Sequence, residues 1–215
     1  MTPVDADQIR ERAEALRARL DAAGGSAVRI VAVTKTFGPT AIDAAIEAGL
    51  TDVGENYAQE AVAKLAEIHS SPTVHFIGRL QRNKVRSLAP VVDVWQSVDR
   101  VELVREIAKR APGAKVMVQV DISGEASKGG VAPGDVEALV VEADAAGLDV
   151  VGLMGVALLA APDAARPGFA RLRRLVDQLG LRECSMGMTA DLEIAVDEGS
   201  TMVRVGRDLF GDRVR

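Results

Sequence analysis

Short runs rich in valine and isoleucine alternate along the chain with longer stretches rich in alanine and leucine. The β-branched runs are bounded by turn residues, which is typical of strands. Eight strands are predicted, over residues 28–35, 51–56, 73–78, 93–98, 114–122, 148–156, 183–188 and 201–206. Near-continuous apolar runs such as VMVQV (116–120) indicate a parallel sheet that is covered by helices on its outer face.

Between these runs, apolar residues recur at intervals of three to four positions, which predicts helices. The first helix precedes all the strands, over Val4–Ala22, and Gly24-Gly25 ends it. The other helices follow the strands, over residues 40–48, 58–68, 80–88, 100–110, 133–146, 165–179, 191–198 and 207–210. This alternation predicts an α/β fold, a single (β/α)8 TIM barrel with an extra N-terminal helix. We expect residues 1–215 to form one domain.

A doubly wound open sheet is the alternative architecture for eight alternating units. Its dinucleotide-binding signature, G-x-G-x-x-G after the first strand, is replaced here by VTKTFGPT (33–40). The phosphate loop of P-loop nucleotide-binding proteins, G-x-x-x-x-G-K-[ST], is also missing from the sequence. The barrel is therefore favoured over the open sheet.

Composition excludes several classes of protein. A single cysteine rules out an internal disulfide framework, and the spacing of His69, His75 and Cys184 fits no familiar metal site, so we expect no metal. A net charge of −5 argues against nucleic acid and anionic membranes as main partners. The charged N-terminal segment is unlike a signal peptide. The longest apolar run, 150–162, is shorter than the roughly 20 residues of a membrane span, so we expect a cytoplasmic protein.

Lys35 is the first candidate for chemistry, because barrel enzymes place their sites at the carboxyl ends of the strands. It ends the first predicted strand and, by alternation, shares a face with Val31 and Val33. A lysine that loses solvation becomes a better nucleophile and can form a Schiff base with an aldehyde. The alternative is a solvated lysine at a strand end.

Arg204 is the second candidate, because it lies within the apolar strand segment TMVRVG (201–206). A buried arginine needs an acceptor. Either it forms a structural ion pair, with Glu55 or Asp121, or it holds a heteroatom of a ligand. The position alone leaves both interpretations open.

The loops after the seventh and eighth strands, SMGMTAD (185–191) and VGRDLFG (205–211), are candidates for phosphate binding. Barrels often bind phosphate with backbone amides of these two loops and of a following helix. Glycines allow close backbone approach and hydroxyls add donors, which selects Ser185, Gly187, Ser200, Thr201 and Gly206. Ordinary turn chemistry is the alternative.

Six segments of the chain resemble the pyridoxal phosphate homeostasis protein family, in the order and spacing of that family. They are VAVTK (31–35), GENYAQE (54–60), HFIGRLQRNK (75–84), SKGG (127–130), SMGMTADLEIAVDEGSTMVRVG (185–206) and DLFG (208–211). The resemblance covers nearly the whole chain, from Val28 to Gly211. One segment, GLMGVALLAAP (152–162), lacks the proline that the family usually has soon after GLM. We therefore expect a different loop after the sixth strand, and a different partner contact if one is made there.

The resemblance implies a barrel related to the N-terminal domain of alanine racemase. It implies pyridoxal 5′-phosphate (PLP) held as a Schiff base on Lys35, with Arg204 facing the pyridine nitrogen and Asn56 near the ring edge. The phosphate would be held by Ser185, Gly187, Ser200, Thr201 and Gly206. Lys128 matches a lysine linked in the family to a secondary cofactor site.

The resemblance also implies a protein without catalytic turnover that carries, buffers or delivers PLP, with PLP-dependent apoenzymes as partners. We expect a monomer or a weak dimer. An arginine at the pyridine nitrogen fits this role, because it does not give up a proton and leaves the ring a weak electron sink.

An amino-acid racemase is the alternative function. Racemisation needs acid/base groups on both faces of the substrate Cα, and Lys35 could supply one. In the related racemases the other is a tyrosine from a C-terminal β-domain, which we expect to be absent from a chain that ends at Arg215. The single tyrosine, Tyr57, follows the second strand instead. A class I aldolase that uses Lys35 without a cofactor is a third option, but it leaves the phosphate loops unexplained.

Overall fold

Eight parallel strands close into a barrel in sequence order in the computed structural model, which describes residues 5–125, 129–157 and 162–211. The strands are β1 Arg29–Val33, β2 Asp52–Glu55, β3 Thr73–Phe76, β4 Val94–Val98, β5 Lys115–Val120, β6 Asp149–Gly155, β7 Glu183–Ser185 and β8 Met202–Val205. Val31 of β1 pairs with Arg204 of β8, which closes the sheet. The predicted barrel is confirmed, and the open sheet is excluded because it would leave β1 and β8 unpaired.

A helix follows every strand, and one more precedes β1. The helices are α1 Ala6–Ala22, α2 Pro39–Glu47, α3 Ala58–Leu65, α4 Arg82–Leu88, α5 Val101–Arg110, α6 Val136–Ala145, α7 Arg166–Gln178, α8 Leu192–Asp197 and α9 Arg207–Phe210. Short 3-10 helices at Pro133–Asp135 and Pro162–Ala165 precede α6 and α7. The extra N-terminal helix is confirmed. None of the described helices combines the length and the apolar character that a bilayer crossing requires.

The N-terminal helix α1 begins where Asp5 caps it by accepting hydrogen bonds from the backbone N–H groups of Asp7 and Gln8. Its buried face consists of Ile9, Ala13, Leu16 and Leu20, at the spacing that the sequence predicted. This face joins an apolar cluster that includes outward-facing residues of β1 and β8, such as Ile30 and Val203, and α1 lies mainly against α2, α8 and α9. The helix therefore covers the seam where the barrel closes.

The two faces of the sheet differ in character. Outward-facing side chains such as Val53, Trp95 and Leu153 join an apolar core beneath the helices. Inside the barrel, a small apolar cluster of Val94, Met117, Val151 and Met154 lies beside polar side chains, which are His75, Gln96, Ser185 and Arg204. A polar barrel interior must satisfy its own hydrogen bonds, so these residues position one another.

The first strand ends earlier than predicted. Its ladder stops at Val33, and the chain then turns through Thr34 and Lys35 to Thr36, which has a φ of +70°. A threonine in this region is uncommon, because its Cβ crowds the backbone. Lys35 therefore sits in a tight turn directly after β1 rather than within the strand.

Candidate functional site

Lys35, Asn56 and Gly206 lie directly beyond the carboxyl ends of β1, β2 and β8, at the same end of the barrel. Lys35 is half-buried in its turn. Arg204 points into the interior from β8 and is only 5% exposed. The structure thus brings these four residues together at the carboxyl end of the barrel, which we call the mouth, where barrels carry their sites.

The Arg204 guanidinium has two hydrogen-bond acceptors inside the barrel. Nη1 donates to the hydroxyl of Ser185 at 2.7 Å, and Nη2 donates to the carbonyl of Gly155 at 2.8 Å. Within the described residues, no carboxylate reaches ion-pair distance of it. Burial lowers the pKa of Arg204 to about 10, with partial compensation by the charge of Asp191, so the group stays cationic at neutral pH.

Of the two interpretations of Arg204 left open by the sequence, the ion pair with Glu55 or Asp121 is not formed. Glu55 faces outward, where it accepts from the hydroxyl of Thr34 and the amine of Lys64. Asp121 accepts instead from the backbone N–H groups of Ser123 and Gly124. Side chains of neighbouring strand residues alternate between the two faces, which puts Glu55 outside the barrel.

Asn56 carries an unsatisfied acceptor at the mouth. Its Oδ1 is buried and has no hydrogen-bond partner among the described residues. Leaving such an atom unpaired costs about 1–3 kcal/mol. Gly78 allows this packing, because a Cβ there would lie 2.0 Å from the Asn56 carbonyl oxygen. The atom is therefore suited to accept a hydrogen bond from a ligand.

Ser185 is fully buried between Gln96 and Arg204. Its O–H donates to Gln96 Oε1 at 2.8 Å, while its oxygen accepts from Arg204. A serine hydroxyl has one hydrogen to donate, and a phosphate dianion needs donors. In this arrangement Ser185 positions Arg204 and has no donor left for a phosphate.

Ser200 and Thr201 lie at the opposite end of the barrel from Lys35. The Thr201 hydroxyl donates to Glu183 at 2.7 Å, and the Ser200 hydroxyl donates to the Met186 carbonyl at 2.8 Å. Thr201 precedes β8, and its carbonyl accepts from the N–H of Arg29, the first residue of β1. A five-residue strand such as β1 spans about 16 Å, so the structure separates these two hydroxyls from the mouth.

The two glycines of the predicted phosphate loops lie at the mouth. Gly187 follows β7, and its carbonyl accepts from the backbone N–H of Arg204. Gly206 precedes α9, and a Cβ there would lie 3.2 Å from the Val33 carbonyl oxygen. A side chain at Gly187 would collide with its neighbours and one at Gly206 would crowd them, so both loops pack closely because these residues are glycine.

Thr189 is a mouth residue that the sequence analysis did not select. It is half-buried in the loop after β7, and among the described residues its hydroxyl has no hydrogen-bond partner. Arg19 of α1 binds its carbonyl at 3.3 Å and also pairs with Glu193 and Asp208, which ties this loop to α8 and α9. The sequence signal that could have identified Thr189 is its position after a strand, because Ser200 and Thr201 precede a strand instead.

Replacing Gly187 by alanine is expected to destabilise the protein by about 3 kcal/mol, because two penalties add. Gly187 has a φ of +95°, and a Cβ there would lie 2.5 Å from the Cβ of Ala195. Gly180→Ala is the matched control, since φ is +63° there but nothing lies within 4 Å. It should cost about 1–2 kcal/mol. Equal losses in urea unfolding of the two variants would contradict the close contact at Gly187.

A buried ionic cluster holds the turn that carries Lys35. The amine of Lys64, 4% exposed, donates to the Thr34 carbonyl at 2.8 Å, to Glu55 at 2.7 Å and to Glu60 at 2.9 Å. Glu60 also accepts from the backbone N–H of Thr36 at 2.5 Å. Burial raises the pKa of Glu55 despite the pairing with Lys64. The backbone on both sides of Lys35 is thus anchored to α3, which the sequence pattern did not predict.

Other candidates lie elsewhere or outside the described residues. Lys128 and residues 158–161 of the predicted divergent loop fall outside the part of the chain that the structure describes. Burial raises the pKa of the Cys184 thiol to about 12, so it is a packing residue rather than a nucleophile. Across the described ranges, no group of three or more His, Cys, Asp or Glu side chains is arranged for a metal ion.

Comparisons with known proteins cover nearly the whole chain. Residues 4–214 match the family of alanine racemase N-terminal domains. A pyridoxal phosphate homeostasis protein of Pseudomonas aeruginosa is 42% identical over 223 residues, which cover 97% of this chain and 95% of that protein.

Solved structures agree with the fold. PipY of Synechococcus elongatus, with PLP bound, is 34% identical and superposes with a TM-score of 0.84, covering 94% of this chain and 100% of that one. A histidine racemase of Leuconostoc mesenteroides shares the fold alone, at 18% identity and a TM-score of 0.77, covering 97% of this chain and 58% of that one. The resemblance inferred from the motifs is confirmed, and the chain belongs to the pyridoxal phosphate homeostasis protein family, whose barrel is that of the alanine racemase N-terminal domain.

Proposed function

We propose that this chain binds PLP covalently, through a Schiff base formed by the amine of Lys35. The observation that carries the proposal is the placement of Lys35 at the mouth that Arg204 approaches from within the barrel. The Arg204 guanidinium is buried and contacts no carboxylate among the described residues. A relative that is 34% identical over its whole length holds PLP on the same fold. Lysine is the side chain that condenses with aldehydes.

The residues at the mouth fit the parts of this cofactor. PLP supplies an aldehyde and an electron-withdrawing pyridine ring when it is bound. Arg204 would face the ring nitrogen, and the unsatisfied Oδ1 of Asn56 would lie near the ring edge. Gly187 and Gly206, with the hydroxyl of Thr189, would hold the phosphate. Thr189 takes the place that the sequence analysis assigned to Ser200 and Thr201.

We propose that the chain carries, buffers or delivers PLP and does not turn over a substrate. Arg204 does not give up its proton near neutral pH, because its pKa of about 10 keeps it cationic. An arginine that keeps its proton at the pyridine nitrogen would leave the ring a weak electron sink, which disfavours turnover. The only tyrosine, Tyr57, is 52% exposed at the start of α3. A racemase base must be held against the substrate Cα, and an exposed side chain at the rim is poorly held.

Trapping the linkage tests the site. Protein loaded with PLP is reduced with borohydride, digested, and searched by mass spectrometry for the modified lysine. We expect one main site at Lys35 and loss of the visible absorption band on reduction. Modification that is spread over exposed lysines such as Lys109 and Lys115, with Lys35 unmodified, would overturn the proposal.

A racemase assay separates the two functions. PLP-loaded protein is incubated with a panel of L-amino acids, and D-enantiomers are measured by chiral chromatography. We expect no product above the rate of free PLP at the same concentration. Turnover well above that rate would replace the homeostasis role with the racemase alternative.

The remaining predictions from the sequence stay part of this proposal. They treat residues 1–215 as one PLP-binding barrel, a monomer or weak dimer in the cytoplasm, that passes PLP to PLP-dependent apoenzymes. Lys128 stays a candidate for a secondary cofactor site. Native mass spectrometry of the loaded protein, alone and mixed with an apoenzyme, measures the oligomeric state and the transfer.

A further inference from the structure

Buried polar side chains form an unbroken series of hydrogen bonds, which we call the relay, through the interior of the barrel. Arg204 Nη1 lies 2.7 Å from Ser185 Oγ, and Ser185 Oγ lies 2.8 Å from Gln96 Oε1. Gln96 Nε2 lies 2.7 Å from His75 Nδ1, and His75 Nε2 lies 2.9 Å from Asp52 Oδ1. The three middle residues, Ser185, Gln96 and His75, are fully buried, so water does not substitute for any of these contacts.

The direction of every hydrogen bond in the relay follows from the Arg204 guanidinium, which is the donor at one end. A guanidinium only donates, so the Ser185 oxygen accepts from Arg204 and its hydrogen goes to Gln96 Oε1. The amide nitrogen of Gln96 then donates to His75 Nδ1. A histidine that accepts at Nδ1 carries its hydrogen on Nε2, which donates to the Asp52 carboxylate. All four bonds point the same way, from a cation to an anion.

We propose that Gln96 and His75 are positioning residues for the cofactor ring, because together with Ser185 they hold the Arg204 guanidinium in place through hydrogen bonds that end on the Asp52 carboxylate. This inference rests on the proposed PLP site. A buried guanidinium is costly unless its donors are satisfied, and among the described residues no carboxylate contacts Arg204, although the charge of Asp191 acts on it without contact. Hydrogen bonds in series polarise one another, so each bond of the series helps to fix the orientation of the next.

The surroundings of Asp52 agree with this role. Its other oxygen accepts from the Thr51 hydroxyl at 2.9 Å, and Arg29 lies 3.6 Å away at the amino end of the barrel. Burial by itself would raise the pKa of Asp52, but the hydrogen bond from His75 and the other contacts hold it below its usual value. Asp52 is therefore ionised at neutral pH and able to end the relay as an anion.

Nitrogen NMR of His75 in the cofactor-free protein tests the direction of the relay. The sequence holds two histidines, and His69 is exposed, so His69→Gln leaves His75 as the single reporter. We expect an unprotonated Nδ1 and a protonated Nε2 at pH 7. Gln96→Glu keeps the shape but puts an acceptor opposite Nδ1, and should protonate both nitrogens. A proton on Nδ1 before that substitution would overturn the relay.

PLP binding tests the positioning role. Gln96→Leu breaks the relay at its second hydrogen bond from Arg204. We expect PLP affinity to fall about 10-fold, as for loss of a hydrogen bond to a charged group. Met117→Ala is the matched control, since it empties part of the same interior without touching the relay. It should bind PLP as the parent does.

Thermal unfolding of both variants shows whether they are comparably destabilised. Equal PLP affinities for Gln96→Leu and the parent would overturn the positioning role, as would an equal loss in Met117→Ala. A parent protein that shows the expected His75 signals but carries no PLP on Lys35 would support the relay and contradict the proposed function. The NMR readout on cofactor-free protein keeps the two results separate.

Discussion

Replacing Lys35 by alanine is expected to abolish covalent PLP binding. In the proposed site the Lys35 amine, beyond the carboxyl end of β1, is the nucleophile, and alanine removes it without altering the strand. Lys64 does not take over, because its amine is committed to Glu55, Glu60 and the Thr34 carbonyl. Absorption spectra should lose the visible band of the loaded protein, and borohydride should trap no cofactor.

The matched control is Lys109→Ala, which removes an exposed lysine near the end of α5. Its spectrum, its trapped cofactor and its PLP affinity should equal those of the parent protein. A Lys35→Ala protein that keeps the full visible band would move the site to another lysine. Thermal unfolding of both variants identifies any loss that comes from misfolding rather than from the missing amine.

Replacing Lys64 by methionine is expected to lower the free energy of unfolding by about 3–5 kcal/mol. Methionine has a similar length, but it leaves the fully buried carboxylate of Glu55 without its cation. Glu55 Oε2 already has no hydrogen-bond partner among the described residues, so the loss falls on a group that is poorly satisfied. Urea unfolding at pH 7 measures the change.

Two further variants test the cause of that loss. Arg105→Met breaks an ion pair with Glu142 in which both side chains are exposed, and should cost less than about 1 kcal/mol. The double variant Lys64→Met with Glu55→Gln removes both charges and should recover part of the stability. A loss in Lys64→Met no larger than that in Arg105→Met would show that the buried cluster contributes little.

The Lys64 cluster also bears on PLP binding, because it anchors the turn at Thr34 and Thr36 on either side of Lys35. Loosening this turn lets the Lys35 amine leave its position at the mouth. We expect Lys64→Met to form the linkage with PLP more slowly than the parent protein, by roughly 10-fold if positioning supplies a modest part of the rate. Stopped-flow absorbance at the visible band measures this rate.

The sequence alone determined the architecture of this protein and its family. Alternation of strand and helix periods is a local property, readable from neighbouring residues, and it predicted all eight strands and the helix before them. Position at the end of a strand selected Lys35, and family motifs added Asn56. The same local reasoning did not show that Ser200 and Thr201 lie away from the mouth, because polar residues flank a strand at both ends and only those that follow it reach the mouth.

The tertiary structure decided which side chains meet. Barrel closure brings Ser185 of β7 and Gln96 of β4 against each other, although they are far apart in the sequence. It gives Arg204 a serine and a carbonyl as acceptors instead of Glu55, and it pairs Lys64 with Glu55 behind the turn of Lys35. These contacts depend on strand register and on the face each residue occupies across the barrel. No sequence period encodes them, because they join residues of elements that meet only after the sheet closes.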